Sequence, residues 1–95
     1  MAKTPSTDQV FRTMQKVIDD IAAERWRQIA KYGHQSKNEN ADWLAVLVEE
    51  VGEVCQALQK GTPAEKTTDA SNLYMELIQV SAVAAKWAET VRGYK

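Results

Sequence analysis

The spacing of the apolar residues constrains this chain most. Val10, Phe11, Met14, Val17, Ile18, Ile21, Ala22 and Ile29 return largely at intervals of three and four, the period that lays side chains along one face of an α-helix. Leu44, Leu47, Val48, Val51, Val54, Cys55 and Leu58 make a second stripe, and Leu73, Leu77, Val80, Ala84, Trp87 and Val91 a third. Strand signals are missing: the chain has two prolines, Pro5 and Pro63, and no Asn-Gly or Asp-Gly turn. The pattern predicts an all-α fold, an antiparallel bundle of three main helices over about residues 7–32, 41–60 and 63–92, in one domain spanning 1–95.

The punctuation fits those bounds. Ser6 and Gln9 can form a capping box for the first helix, and Gly33 is a natural stop. Residues 33–40 are polar and read as a loop, with Asn38 or Asn40 as the cap of the second helix and Asp42 favourable in its first turn. Gly61 ends that helix, and Thr62-Pro63-Ala64-Glu65 combines a cap, a first-turn proline and a capping-box Glu. Thr67-Thr68 weakens the start of the third helix and offers a break point before Asp69, and Gly93 lies just past its end. The short turn at Gly61-Thr62 makes the second and third helices antiparallel neighbours.

Composition excludes several function classes. Twelve Lys and Arg against thirteen Asp and Glu give a net charge of -1, so no basic field argues for nucleic acid. No apolar run approaches the roughly 18 residues of a membrane span and no charged-then-apolar leader opens the chain, so a cytoplasmic location without a membrane partner is expected. Cys55 is the one cysteine, which rules out an intrachain disulfide and a Cys-rich zinc site. His34 is the one histidine, so the Glu-x-x-His pairs of a di-iron redox bundle cannot be assembled from one chain.

Certain carboxylates stand where solvent-facing ones do not belong. On a helical wheel Glu50 and Glu53 share a flank with Trp43, Val46 and Ala57, while Asp42, Glu49, Gln56, Gln59 and Lys60 form the solvated side. Glu76 falls inside the apolar stripe of the third helix, with Gln79 beside it. A carboxylate in an apolar face costs several kcal/mol unless something pairs with it, and no Lys or Arg lies within a turn of Glu76 on its own helix. Two antiparallel helices that each offer an inward i, i+3 pair form an oxygen cage suited to a hard cation such as Mg²⁺, which keeps waters and leaves room for phosphates. A solvated Glu-x-x-Glu face, or a buried Glu76 bonded to Tyr74 or Trp87 of a partner chain, is the plainer account.

Glu49-Glu50-Val51-Gly52-Glu53 followed by Glu76-Leu77-Ile78-Gln79 resembles the MazG-like group of all-α nucleoside triphosphate pyrophosphohydrolases. The family pattern is Glu-Glu-x-x-Glu on one helix and Glu-x-x-Asp on the next. Glu24-Arg25-Trp26-Arg27-Gln28 and Lys31-Tyr32-Gly33-His34-Gln35 are similar to the small phage-type and mobile-element-type members, so the likeness covers about residues 24–89. The resemblance implies Mg²⁺-dependent cleavage, with Mn²⁺ able to substitute, of a (d)NTP to its monophosphate and pyrophosphate. It also implies a homodimer or a homotetramer made of two dimers. By position, Glu50, Glu53 and Glu76 correspond to metal ligands, and Glu49 to a helper that orients or deprotonates the attacking water. Gln79 stands where the family has Asp; its amide oxygen can ligate but brings no charge and cannot act as a base.

Other residues have two readings. Trp43 shares the flank of Glu50 and is the best candidate to stack on a base, whereas Trp26 and Trp87 read as core or interface. Gln28, Lys31, Gln35 and Lys86, with Arg27, are candidate substrate contacts; solvated surface is their plainer reading. His34 reads as a solvated loop residue and Cys55 as a small core residue. Glu24 and Arg25 read as a structural ion pair or an interface contact rather than a site. Met75, Ile78, Ala82 and Ala85 lie off the main stripe of the third helix, which argues for an oligomer. The competing account of the whole chain is a helical interaction or nucleotide-binding module without catalysis.

Overall fold

The computed structural model describes residues 4–34, 38–59 and 66–94, with side chains of the last segment described from Leu73 onward. These residues form three helices and no strand: α1 (Thr7–Tyr32), α2 (Asn40–Gln59) and α3 (Lys66–Arg92). No helix among them is long and apolar enough to cross a membrane.

Local chemistry sets the ends. At the start of α1 the Gln9 backbone N–H donates to Ser6 Oγ (3.1 Å), and the Ser6 backbone N–H donates to Gln9 Oε1 (2.8 Å), a reciprocal capping box. The helix stops where Gly33 takes φ 70° and donates its N–H to the Ile29 carbonyl, a backbone state that costs other residues a steric penalty. The cap of α2 differs from expectation. It is Glu39, whose carbonyl accepts from the Trp43 N–H and whose own N–H donates to the Asp42 carboxylate at 2.8 Å. Asn40 is used otherwise: its Oδ1 accepts from Trp87 Nε1 at 2.9 Å, tying α2 to α3. No break precedes Asp69; α3 runs unbroken from Lys66, the propensity cost of two threonines being small. The expected turn and cap at Gly61 to Glu65, and Gln35, lie outside the described residues.

The third helix is the spine. Both α1 and α2 pack on α3 and, among the described residues, not on each other. One side of α3 carries Glu76, Gln79, Val83 and Lys86 toward α2, with Lys86 Nζ 5.3 Å from the centre of the Trp43 ring. Another side carries Ile78, Ala85 and Glu89 toward α1. Trp43, Ala57, Ile78, Ala82 and Val83 are the buried apolar core.

This corrects which faces are covered. Most of the α2 stripe expected inside points outward: Leu44, Val48, Val51 and Leu58 are exposed, and so is Cys55, which is not a core residue, while Leu47 and Val54 are half-buried. The flank with Trp43 and Ala57 is the buried one. On α3, Leu77 and Val91 are exposed while Ile78 and Ala82 are buried within the chain, so these two need no partner to cover them. The helical period fixes which residues share a face, but not which face a neighbour covers. A helix packed on two neighbours divides its apolar residues between two directions, and the single-stripe wheel averages them.

Candidate cation and polyphosphate pocket

Because α1 and α2, among the described residues, pack on α3 rather than on each other, an open cleft of about 340 Å³ lies between them. Glu24, Arg27, Gln28 and Tyr32 of α1 form one wall, and Trp43, Val46, Glu50 and Glu53 of α2 the other. Gln79, Val83 and Lys86 of α3 form the floor, and Asn38 stands at the rim.

At one end the carboxylates converge. One oxygen from each of Glu50, Glu53 and Glu76 lies within 4.8 Å of the others. Opposed ligands on Mg²⁺, at about 2.1 Å each, stand about 4.2 Å apart, so this oxygen set fits a small hard cation with little adjustment. Glu50 Oε2 is buried and accepts no hydrogen bond from the described residues. Burial, followed by the charges of Glu53 and Glu76, pushes the Glu50 carboxyl up to about 7. A carboxylate so crowded gains most from a cation.

The α1 wall of the cleft is polar and buried in a different way, and the Glu24 charge acts on Glu50 across it. Glu24, 6% exposed, is gripped by both arms of Arg27: Nε donates to Oε1 at 2.7 Å and Nη2 to Oε2 at 2.6 Å. Gln28 Nε2 also donates to Glu24 Oε2. The Arg27 hydrogen bonds hold the Glu24 carboxyl below its usual range. Two further buried polar atoms of the cleft have no partner among the described residues: Gln28 Oε1 and Trp43 Nε1, on residues 8% and 2% exposed. Lys86, also buried, has its ammonium pKa lowered by desolvation and by the charge of Arg25.

Of the residues singled out in the sequence, the fold thus brings Gln28, Trp43, Glu50, Glu53, Gln79 and Lys86 to one cleft, with Glu76 at its carboxylate end. Glu49 is exposed and does not line it. Lys31 is exposed as well, its Nζ lying 5.1 Å from the centre of the Tyr32 ring. Trp26 is exposed rather than core. Tyr74 donates to Asp20 at 2.5 Å and Trp87 to Asn40, so within the chain neither hydroxyl nor indole N–H is directed to Glu76. Glu24 and Arg25 do not pair with each other: Arg25 bonds Glu89 and Glu24 bonds Arg27, because adjacent residues on a helix point about 100° apart.

Sequence reasoning missed Glu24 as a wall of the cleft. The signal was there: the inward side of α1 runs Val17, Ile21, Glu24, Gln28, apolar for half its length and polar afterwards. Comparison with protein-family models, curated proteins and solved structures gives no match.

Proposed function

We propose that this protein is a Mg²⁺-dependent nucleoside triphosphate pyrophosphohydrolase of the MazG-like kind, converting a (d)NTP to its monophosphate and pyrophosphate. The observation that carries the reading is the convergence of Glu50, Glu53 and Glu76 from two helices at one end of a cleft that also holds Arg27 and Lys86. Carboxylates for a cation and cations for an anion, within one cleft, suit a metal-chelated polyphosphate.

When bound, Mg²⁺ supplies charge neutralisation on the phosphate chain and a more acidic water. Glu50, Glu53 and Glu76 would hold the ion, and the Gln79 amide oxygen would be a neutral donor beside them. Arg27 and Lys86 would take phosphate oxygens; Trp43, expected to stack on a base, is 2% exposed with Lys86 over its ring and offers no open face for one. Water attacks the α-phosphorus, the bond to the bridging oxygen breaks, and pyrophosphate leaves. Glu49 is exposed; a carboxylate already at the cation end is better placed to accept the water's proton.

We also propose a homodimer or homotetramer in the cytoplasm. Leu44, Val48, Val51, Cys55 and Leu58 repeat at four-three-four-three spacing on the exposed side of α2, and Phe11, Met14 and Ile18 do so on α1. Exposed stripes of this period suit helix-to-helix pairing. The same stripes favour the competing account, an interaction module, which has no need of a cation. A panel of (d)NTPs with Mg²⁺, scored for monophosphate and pyrophosphate, separates the two. Product formation lost on chelation supports the enzyme, and no turnover with any nucleotide rejects it.

A further inference from the structure

The three clustered carboxylates meet a neutral fourth neighbour, Gln79, but the cleft contains another acid. Glu24 lines it from α1, buried, with both oxygens committed to Arg27. The Arg27 side chain is 52% exposed and that of Glu24 5%, so the guanidinium reaches inward from solvent to cover a carboxylate largely shielded from water. A buried carboxylate with one exposed basic partner is an arrangement that a competing cation can open. Independent features of the same cleft point to a ligand: Trp43 Nε1 is fully buried without an acceptor, and Gln28 Oε1, on the residue that also donates to Glu24, is buried without a donor. Buried polar atoms are nearly always satisfied, so the cleft presents donor and acceptor valences for something that enters it.

We propose that Glu24 is a reserve carboxylate of the cation site, and that Arg27 and the cation compete for it. In the cation-free protein Arg27 neutralises Glu24. When the cation enters, Glu24 contributes the fourth negative charge and Arg27 is released toward the cleft, where a phosphate offers the same two-pronged acceptor that the carboxylate did. Helix α1 thereby couples cation loading to capture of the anionic ligand. The inference rests on the cation site proposed above.

The test uses Mn²⁺ alone, titrated calorimetrically into the full chain without nucleotide. Glu53→Gln should weaken binding by about tenfold or more. If it does not, the cation site itself is misplaced and both readings fall. With that site in place, Glu24→Gln should weaken Mn²⁺ binding by about tenfold. Arg27→Gln should tighten it severalfold, and that gain should vanish in the Glu24→Gln background. An equal gain in both backgrounds marks a general field effect of the Arg27 charge and overturns the competition, as does no gain at all. Should Glu24→Gln fail to fold, Arg27→Lys replaces it: lysine keeps the charge but not the fork. Tightening by Arg27→Lys supports release of Glu24, whereas tightening by Arg27→Gln alone overturns it.

Discussion

Arg25 and Glu89 meet across the α1–α3 contact in a two-pronged pair, with Arg25 Nε donating to Glu89 Oε2 at 2.8 Å and Nη2 to Oε1 at 2.6 Å. Arg25 is buried while the Glu89 side chain is 39% exposed, so the acid is what makes the buried cation tolerable. Glu89→Gln should therefore destabilise the protein by roughly 1–2 kcal/mol, less than a fully buried pair because solvent screens the acid. Urea denaturation in chelator measures this. The Arg25 hydrogen bonds hold the Glu89 carboxyl below its ordinary value of 4.5. A lowered folded pKa means stability that is present above 4.5 and lost as the pH falls through the folded value. The gap between wild type and variant should close in acid.

Glu50 has the opposite sign. Burial and the neighbouring Glu53 and Glu76 charges raise its carboxyl from 4.5 to about 7, so between those values the folded state binds the extra proton. The contribution of Glu50 is therefore present below 4.5, declines as the pH rises toward 7 and is flat above. In chelator, the melting temperature should fall over this window, and Glu50→Gln should remove most of the fall. Mg²⁺ should restore stability on the alkaline side, where Glu50 is charged. A variant with the same pH slope as wild type refutes the assignment.

The helices and the carboxylate triad were legible in the sequence for one reason: both rest on short-range periodicity. Ser6, Gln9 and Gly33 set the bounds of α1 through contacts no more than four residues apart, and Glu50 and Glu53 share a flank by spacing alone. Glu24, Lys86 and the two faces of α3 were not legible in the same way. Whether a polar residue at the end of an apolar stripe is buried depends on the neighbour that arrives there. Lys86 is 2% exposed, with its ammonium over the ring of Trp43 from a different helix. Local rules carry no information about that arrival.

The exposed stripes predict assembly. Val48 and Phe11, at 61% and 67% exposure, are costly to leave in water on a folded monomer. Sedimentation at micromolar concentration should give at least twice the chain mass. Val48→Asp or Phe11→Asp should dissociate or destabilise the assembly, because each places a charge in an apolar contact. A wild type that sediments as a folded monomer removes this argument.

Gln79 is a half-buried amide on the floor of the cleft. Gln79→Asp adds a negative charge beside the cation end, and Mg²⁺ affinity should tighten by about tenfold. Activity at limiting Mg²⁺ should rise, and stability in chelator should fall because another like charge is crowded in. Unchanged affinity by calorimetry places Gln79 away from the cation.

Glu76 separates a site from a scaffold most directly. It is half-buried on α3, with a carboxylate oxygen within 4.8 Å of oxygens from Glu50 and Glu53. Without a cation its charge burdens the fold, since three like charges crowd a partly dry space. Glu76→Gln keeps the shape and deletes the charge. Nucleotide hydrolysis should fall by at least about 100-fold, as expected when the charge that holds a reacting ion is lost. In chelator, the melting temperature of the variant should equal or exceed that of wild type, and the extra stability conferred by Mg²⁺ should shrink. A carboxylate kept only to anchor helices gives the reverse: lower stability on neutralisation, whether or not Mg²⁺ is present. Melting curves of both proteins with Mg²⁺ and with chelator decide the matter, and a variant clearly destabilised in chelator counts against Glu76 as a ligand.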